Sequence, residues 1–300
     1  MSGPLHETGP FLEPARRAIR SWLGLLPWWL AEFVLFGLKM AWACLFAALM
    51  LGLILLTRII WQADWPVHRY DALFLAAISI QALLLALGME RWEEARVILV
   101  YHVVGTLMEV FKVRMGSWAY PEPAMMQIAG VPLFSGFMYA SVGSFMVRSI
   151  RIFDMRFTSY PRKWVTVVLA LTIYANFYLH HYWIDIRIAL FAATLVIFRR
   201  VNIHFTTDRT TLFMPLILAA FLSAFFLWIA ENVGTLTGTW IYPGQTGWHL
   251  VSSAKIGSWY LLLFVSFVLV TLVLQPKAPD SKLASAEVPS RLPRPDRGGT

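Results

Sequence analysis

Two acids in this chain head the same local pattern. Glu109 is followed by Gly116, Ser117, Trp118, Tyr120 and Pro121. Glu231 is followed, at the same offsets, by Gly238, Thr239, Trp240, Tyr242 and Pro243. A repeated unit tends to bring its equivalent faces to a shared site. Each copy closes a long apolar segment. A second matched pair, Asp71 and Asp185, stands where the apolar segments after residues 69 and 185 begin. A carboxyl at membrane depth is costly when charged, so it either lines a polar interior or is wetted at the interface. In an interior it is suited to giving and taking protons. Glu109, Glu231, Asp71 and Asp185 are therefore the candidate catalytic residues.

The two copies differ one helical turn after the acid. Lys112 follows Glu109 at a spacing that permits an ion pair, whereas Gly234 takes that place after Glu231. Glu231 is thus expected to be the proton donor or acceptor and Glu109 the ion-paired partner. Trp118, Tyr120, Trp240 and Tyr242 are expected as rigid loop anchors. They form either an interfacial aromatic belt or a stacking surface for a ligand. Gly116 and Gly238 permit a tight turn after a helix, and Pro121 and Pro243 stop the helix resuming.

A further polar cluster runs through Asn176, His180, His181, Asp185 and Arg187. Histidines with carboxylates can hold zinc, but this spacing matches no metal motif, so no metal site is assigned. His181 and Arg187 stay as candidate binding residues, Arg187 toward Asp185 or an anionic group. Lys255, beside Ser252, Ser253 and Gly257, either snorkels outward or pairs with an acid such as Glu231. His102, seven residues before Glu109, either extends a proton path or is a core histidine. Cys44 stands alone inside an apolar run as a packing residue. No P-loop, dinucleotide fingerprint or zincin pattern is present, so no cofactor is expected.

The elements that must carry these residues are apolar. The chain is 58% hydrophobic and 14% charged, with a mean hydropathy of +0.62. A soluble domain carries nearer a quarter charged residues. The expected fold class is all-α, a polytopic membrane bundle of about eight transmembrane helices. These fall at about Lys39–Ile60, Tyr70–Met89, Ala95–Val113, Val131–Ile150, Lys163–Leu179, Ile186–Phe198, Leu212–Asn232 and Val251–Leu274. Phe11–Trp29, with Arg16, Arg17 and Arg20, reads as an interfacial helix within an N-terminal segment 1–38. Residues 1–20 show no signal-peptide layout. The Pro- and Ser-rich segment 276–300 reads as a disordered tail.

Charge orders these spans. Eighteen of the 25 Lys and Arg residues fall in loops on one side and four on the other, with Lys39, Arg187 and Lys255 in or at spans. Cationic loops stay cytoplasmic, which puts both termini inside and both Trp-x-Tyr-Pro loops outside. The net charge of +8 is spread over alternate loops, so nucleic acid is excluded as a partner. The expected partners are the lipid bilayer and a lipophilic small molecule. Four helices in each half, 39–160 and 161–275, give parallel repeats about an axis along the membrane normal.

The first copy and its continuation to Ser144, with the His180-His181-Tyr-x-x-Asp185-x-Arg187 run, resemble the YoaT-like bacterial integral membrane proteins. That family is a domain of unknown function. The resemblance implies a bacterial plasma-membrane protein and no particular activity. The run Glu231…Thr237-Gly238-Thr239-Trp240-Ile241-Tyr242 is also similar to carotenoid-processing membrane proteins, the heterodimer-type lycopene cyclases and carotenoid hydratases. That similarity implies acid-catalysed chemistry on a polyene or isoprenoid. The chain departs from the cyclases in lacking their Pro-Leu-Glu-Glu-like pair, since Pro121-Glu122-Pro123 is not equivalent. Two functions follow as expectations: acid–base chemistry on a lipophilic substrate, or transport of a small solute through the paired carboxylates.

Overall fold

The computed structural model describes residues 13–62, 64–208, 210–244 and 247–279. The tail from residue 280 and the start of the expected interfacial helix at Phe11 and Leu12 lie outside the described residues. The fold is mostly helical: α1 Glu13–Leu23, α2 Trp28–Ala43, α3 Leu45–Ile60, α4 Arg69–Ala86, α5 Trp92–Arg114, α6 Phe134–Ile152, α7 Lys163–Leu179, α8 Arg187–Phe198, α9 Leu216–Leu236 and α10 Ala254–Val273. Among the described residues three of these, α4, α9 and α10, are long and apolar enough to cross a bilayer. A fourth is gained if α2 and α3 count as one span.

Three expectations need correction. The first helix does not run from Lys39. It is two helices, α2 and α3, broken at Cys44 with a 65° bend. Just before the break, Trp42 O faces Nη1 of the buried Arg148 at 3.4 Å, the kind of side-chain insertion that accompanies helix kinks. Second, Leu212–Pro215 is not helical. Thr211–Pro215 forms β5, paired antiparallel with β4 (Asn202–Thr206), which also pairs with β3 (Arg156–Phe157). Third, Val131–Pro132 is a strand, β2, paired with β1 (Gln127–Ile128), so α6 starts three residues later than expected. The fold is therefore not purely α. The segments 202–206 and 211–215 are rich in Ile, Phe and Thr, which suit a pleated surface.

The neighbour relations within α3–α6 recur within α7–α10. In each set the first helix packs on the second and the fourth, the second on the third and fourth, and the third on the fourth. The fourth helices, α6 and α10, touch every other member of their set and each other. Small residues allow the tightest of these contacts. A Cβ at Gly105 would meet Tyr139 of α6 at 2.7 Å, and one at Gly143 would meet Tyr101 of α5 at 2.8 Å.

The end of α6 away from the repeated loops holds a buried ion network. Arg148, fully buried, faces Glu90 at 3.4 Å and Glu94 at 3.7 Å, and Arg151 pairs with Glu94 at 2.9 Å. Gln81 donates to Glu90. The sequence reading counts Arg148 and Arg151 among the cationic residues of the cytoplasmic side. The packing of α6 on α4 and α5 turns them inward instead.

Candidate functional site

The repeated motif folds the same way twice. Gly116 and Gly238 have φ of 65° and 63°, a left-handed conformation that glycine adopts without penalty. Each closes a Schellman motif. Ser117 N bonds Lys112 O and Gly116 N bonds Val113 O, while Thr239 N bonds Gly234 O and Gly238 N bonds Thr235 O. The turn sends the chain back along the helix it has left. In the first copy the residues two and four past the glycine then reach the acid seven before it, about 10 Å down the helix, and in the second copy the residue four past does.

Glu109 is 2% exposed and receives three donors. Trp118 Nε1 lies 2.7 Å and Tyr120 OH 2.8 Å from Oε2, and Tyr139 OH of α6 lies 2.7 Å from Oε1. Glu231, 6% exposed, receives Tyr242 OH on Oε1 and Trp259 Nε1 of α10 on Oε2 at 2.6 Å. Each acid thus takes a donor from its own loop and one from the fourth helix of its set. Burial, then the neighbouring Glu109 carboxyl, holds the Tyr120 phenol well above its ordinary value. Burial and Glu231 raise Tyr242 the same way. Both phenols therefore stay protonated and keep donating. Buried carboxyls need such donors, because an unpaired one is expensive.

The two loops are joined to each other. Ala119 and Ile241 form an antiparallel bridge with both N–H···O bonds at 3.0 Å. They occupy the same place in the motif, ten residues past each acid. Trp118 and Tyr242 meet edge to face at 6.5 Å, and Tyr139 and Trp259 lie 6.4 Å apart. The acids lie close enough to interact electrostatically. Lys255 stands over both rings of the first pair, 4.4 Å from Tyr242 and 5.5 Å from Trp118, and within electrostatic range of Glu231 and Glu109.

Other candidate residues are placed differently. Lys112 does not pair with Glu109. Its ammonium bonds His181 Nε2 at 3.0 Å and sits 4.0 Å over the Phe177 ring. Trp240 does not reach an acid, because its ring lies on Gly234, the position that Lys112 fills in the first copy. Asp71 accepts the backbone N–H groups of Met125 and Met126, each at 2.8 Å, and so anchors the first loop on α4. Asp185 accepts Asn176 Nδ2 at 3.1 Å and pairs with Arg187 at 3.0 Å, at a surface turn. Desolvation pushes the Asp185 carboxyl up, but Asn176 and Arg187 outweigh it and hold it below its ordinary value. Desolvation, then Lys112 and His180, hold His181 below the ordinary histidine value. His102 packs on Phe137 with ring centroids 4.4 Å apart and the planes tilted by 41°. Among the described residues no three His, Cys, Asp or Glu side chains converge as metal ligands.

Sequence reading missed Tyr139 and Trp259. Their signal is an aromatic donor 30 and 28 residues after its acid. They also line a cavity between α5, α6, α7, α9 and α10, with Val104, Met108, Tyr174 and Leu262 among its walls. It offers about 40 Å³ to the centre of a water-sized sphere, where one water needs roughly 10–15 Å³.

Fold and site together define an α-helical protein with membrane-length apolar helices and two buried carboxyls in aromatic cradles. The chain belongs to the DUF817 family, proteins of unknown function, whose family model matches residues 32–267. It is 40% identical over 247 residues to the uncharacterized protein YoaT of Bacillus subtilis (strain 168), covering 82% of this chain and 93% of that protein. The crystal structure of the cross-linked MvINS trimer is similar over 63% of this chain and 98% of that one. Identity there is 16% and the TM-score 0.44, so this likeness carries no argument. The likeness to carotenoid-processing proteins rests on sequence alone.

Proposed function

We propose that this is a multi-pass protein of the bacterial plasma membrane whose carboxyl pair performs acid–base chemistry on a lipophilic, isoprenoid- or lipid-like molecule. In this reading α3–α6 and α7–α10 are parallel repeats, eight spans in all, with both termini cytoplasmic. The matched neighbour relations support the repeats. So does the Ala119–Ile241 pair, because an antiparallel bridge between equivalent residues implies a local two-fold axis. At 12 residues, α8 rises about 18 Å and would cross only where the bilayer thins.

One observation carries the chemistry. A buried carboxyl from each repeat contacts, through Tyr139 and Trp259, the roof of an apolar cavity. Leu107 and Leu171, one turn from Val104 and Tyr174, are exposed, so the helices flanking the cavity present apolar surface to a bilayer. A proton carried by Glu109 can pass to the Tyr139 oxygen as that hydroxyl gives its own proton to a double bond. The resulting carbocation then loses a proton to the carboxylate or captures water, whose proton the carboxylate takes. A second reading, a transporter or permease for a small solute, is favoured by the two-fold relation of the loops around the acids.

The test is mass spectrometry of lipid extracts from cells making the wild type or the Glu109→Gln, Glu231→Gln double variant at equal protein level. A species gained or lost only with the wild type is expected. Identical extracts would overturn the acid–base reading and direct attention to solute uptake in proteoliposomes.

A further inference from the structure

Among the described residues Lys112 is a buried cation with no carboxylate in contact. It is 3% exposed, and its partners are an imidazole and a phenyl ring. Among the described residues no carboxylate lies within salt-bridge distance of it. The charges it does feel are Lys255 and Arg187, which also feel one another. Glu109 and Glu231 act on Lys255, and Asp185 is paired with Arg187, whereas Lys112 makes no ion pair among the described residues. A buried ammonium without a counter-charge is expensive unless a ligand supplies one.

The surroundings fit such a ligand. A second, smaller cavity is lined by Phe177, His180, Arg187 and Ser258, and shares Leu262 with the apolar one. Lys112 stands one helical turn above Met108 of the apolar cavity's wall. Arg187 thus lines the smaller cavity, and the Lys112 ammonium lies against its Phe177 wall, beside the apolar cavity.

We infer that Lys112 and Arg187 form an oxyanion site, for a phosphate group, at the smaller cavity beside the apolar one. It deepens the proposed function and rests on that reading for the tail's place: the substrate is an amphiphile with an anionic head here and its apolar part beside Tyr139 and Trp259. Lys112 and Arg187 donate charge-assisted hydrogen bonds to the oxyanion, and His181 holds Lys112 in position.

The experiment uses the full-length protein in non-ionic detergent and follows thermal unfolding against added inorganic phosphate, lysophosphatidic acid or a monoacylglycerol, which has the same single tail and no phosphate. A saturable rise with an anionic probe is expected. Lys112→Met and Arg187→Gln should each weaken half-saturation about tenfold or more. A rise with inorganic phosphate marks a free anion site, and one with lysophosphatidic acid alone marks a lipid headgroup. No saturable rise, an equal rise with the phosphate-free monoacylglycerol, or a half-saturation unchanged in Arg187→Gln would overturn the site. Arg187 is half-buried at a surface turn, so its variant decides even if Lys112→Met does not fold. Binding is read without turnover. Failure here with differing lipid extracts removes only the oxyanion site, and binding with identical extracts removes only the acid–base reading.

Discussion

Gly234→Ala tests how the second loop is held. A Cβ at this position would lie 1.8, 2.3 and 2.4 Å from three carbons of the Trp240 ring. Carbon atoms settle at about 3.5–4.0 Å, so the ring must retreat by roughly 1.7 Å. Trp240 is joined to Ile241, whose two bonds to Ala119 are 3.0 Å long, and a shift of that size breaks them. Overpacking costs about 1–3 kcal/mol. The two backbone bonds add about 1 kcal/mol each. Replacing glycine inside a helix returns about 1 kcal/mol. The expected net loss is about 2–4 kcal/mol, measured by denaturant unfolding in mixed micelles. The same substitution made in a Trp240→Ala background should be neutral or slightly stabilising, since the obstructing ring is gone. If Gly234→Ala is harmless in the wild type, or equally damaging without the ring, the steric account is wrong.

Arg148→Ala should cost about 3–5 kcal/mol, because Glu90 and Glu94 lose a fully buried partner; a loss below about 1 kcal/mol in the same unfolding assay would show that the network is wetted. Asp71→Ala should cost about 3 kcal/mol, the worth of two backbone bonds to a carboxylate, and limited proteolysis should then cut within residues 122–130. An uncut loop would contradict the anchoring role. His181 titrates below the ordinary histidine value of 6.5, so the unfolded chain binds its proton first as pH falls. Its contribution is full above pH 6.5 and is lost as pH drops through the folded value. The melting temperature of the wild type should accordingly fall more steeply below pH 6.5 than that of His181→Gln, and parallel curves would rule this out.

The sequence by itself determined what depends on neighbours along the chain. Apolar run lengths specify helices, and α7 spans the same residues that its run predicts. The glycines at 116 and 238 specify left-handed turns, since φ near 65° is strained for other residues. The acid–Trp–Tyr spacing was legible as a unit for the same reason: turn, return strand and acid all lie within thirteen residues. Tertiary structure decided which side chain answers which. Tyr139 and Trp259 reach their acids because α6 packs on α5 and α10 on α9. Lys112 follows Glu109 by one helical turn, yet it bonds His181, 69 residues away, while five aromatic N–H and O–H groups occupy the two carboxyls. Arg148 counts in the sequence as a cytoplasmic-side cation and is buried against Glu90 and Glu94. Spacing along a chain limits which partners are possible. Packing chooses among them, because a buried charge or donor takes whichever partner the neighbouring helices bring within hydrogen-bonding distance.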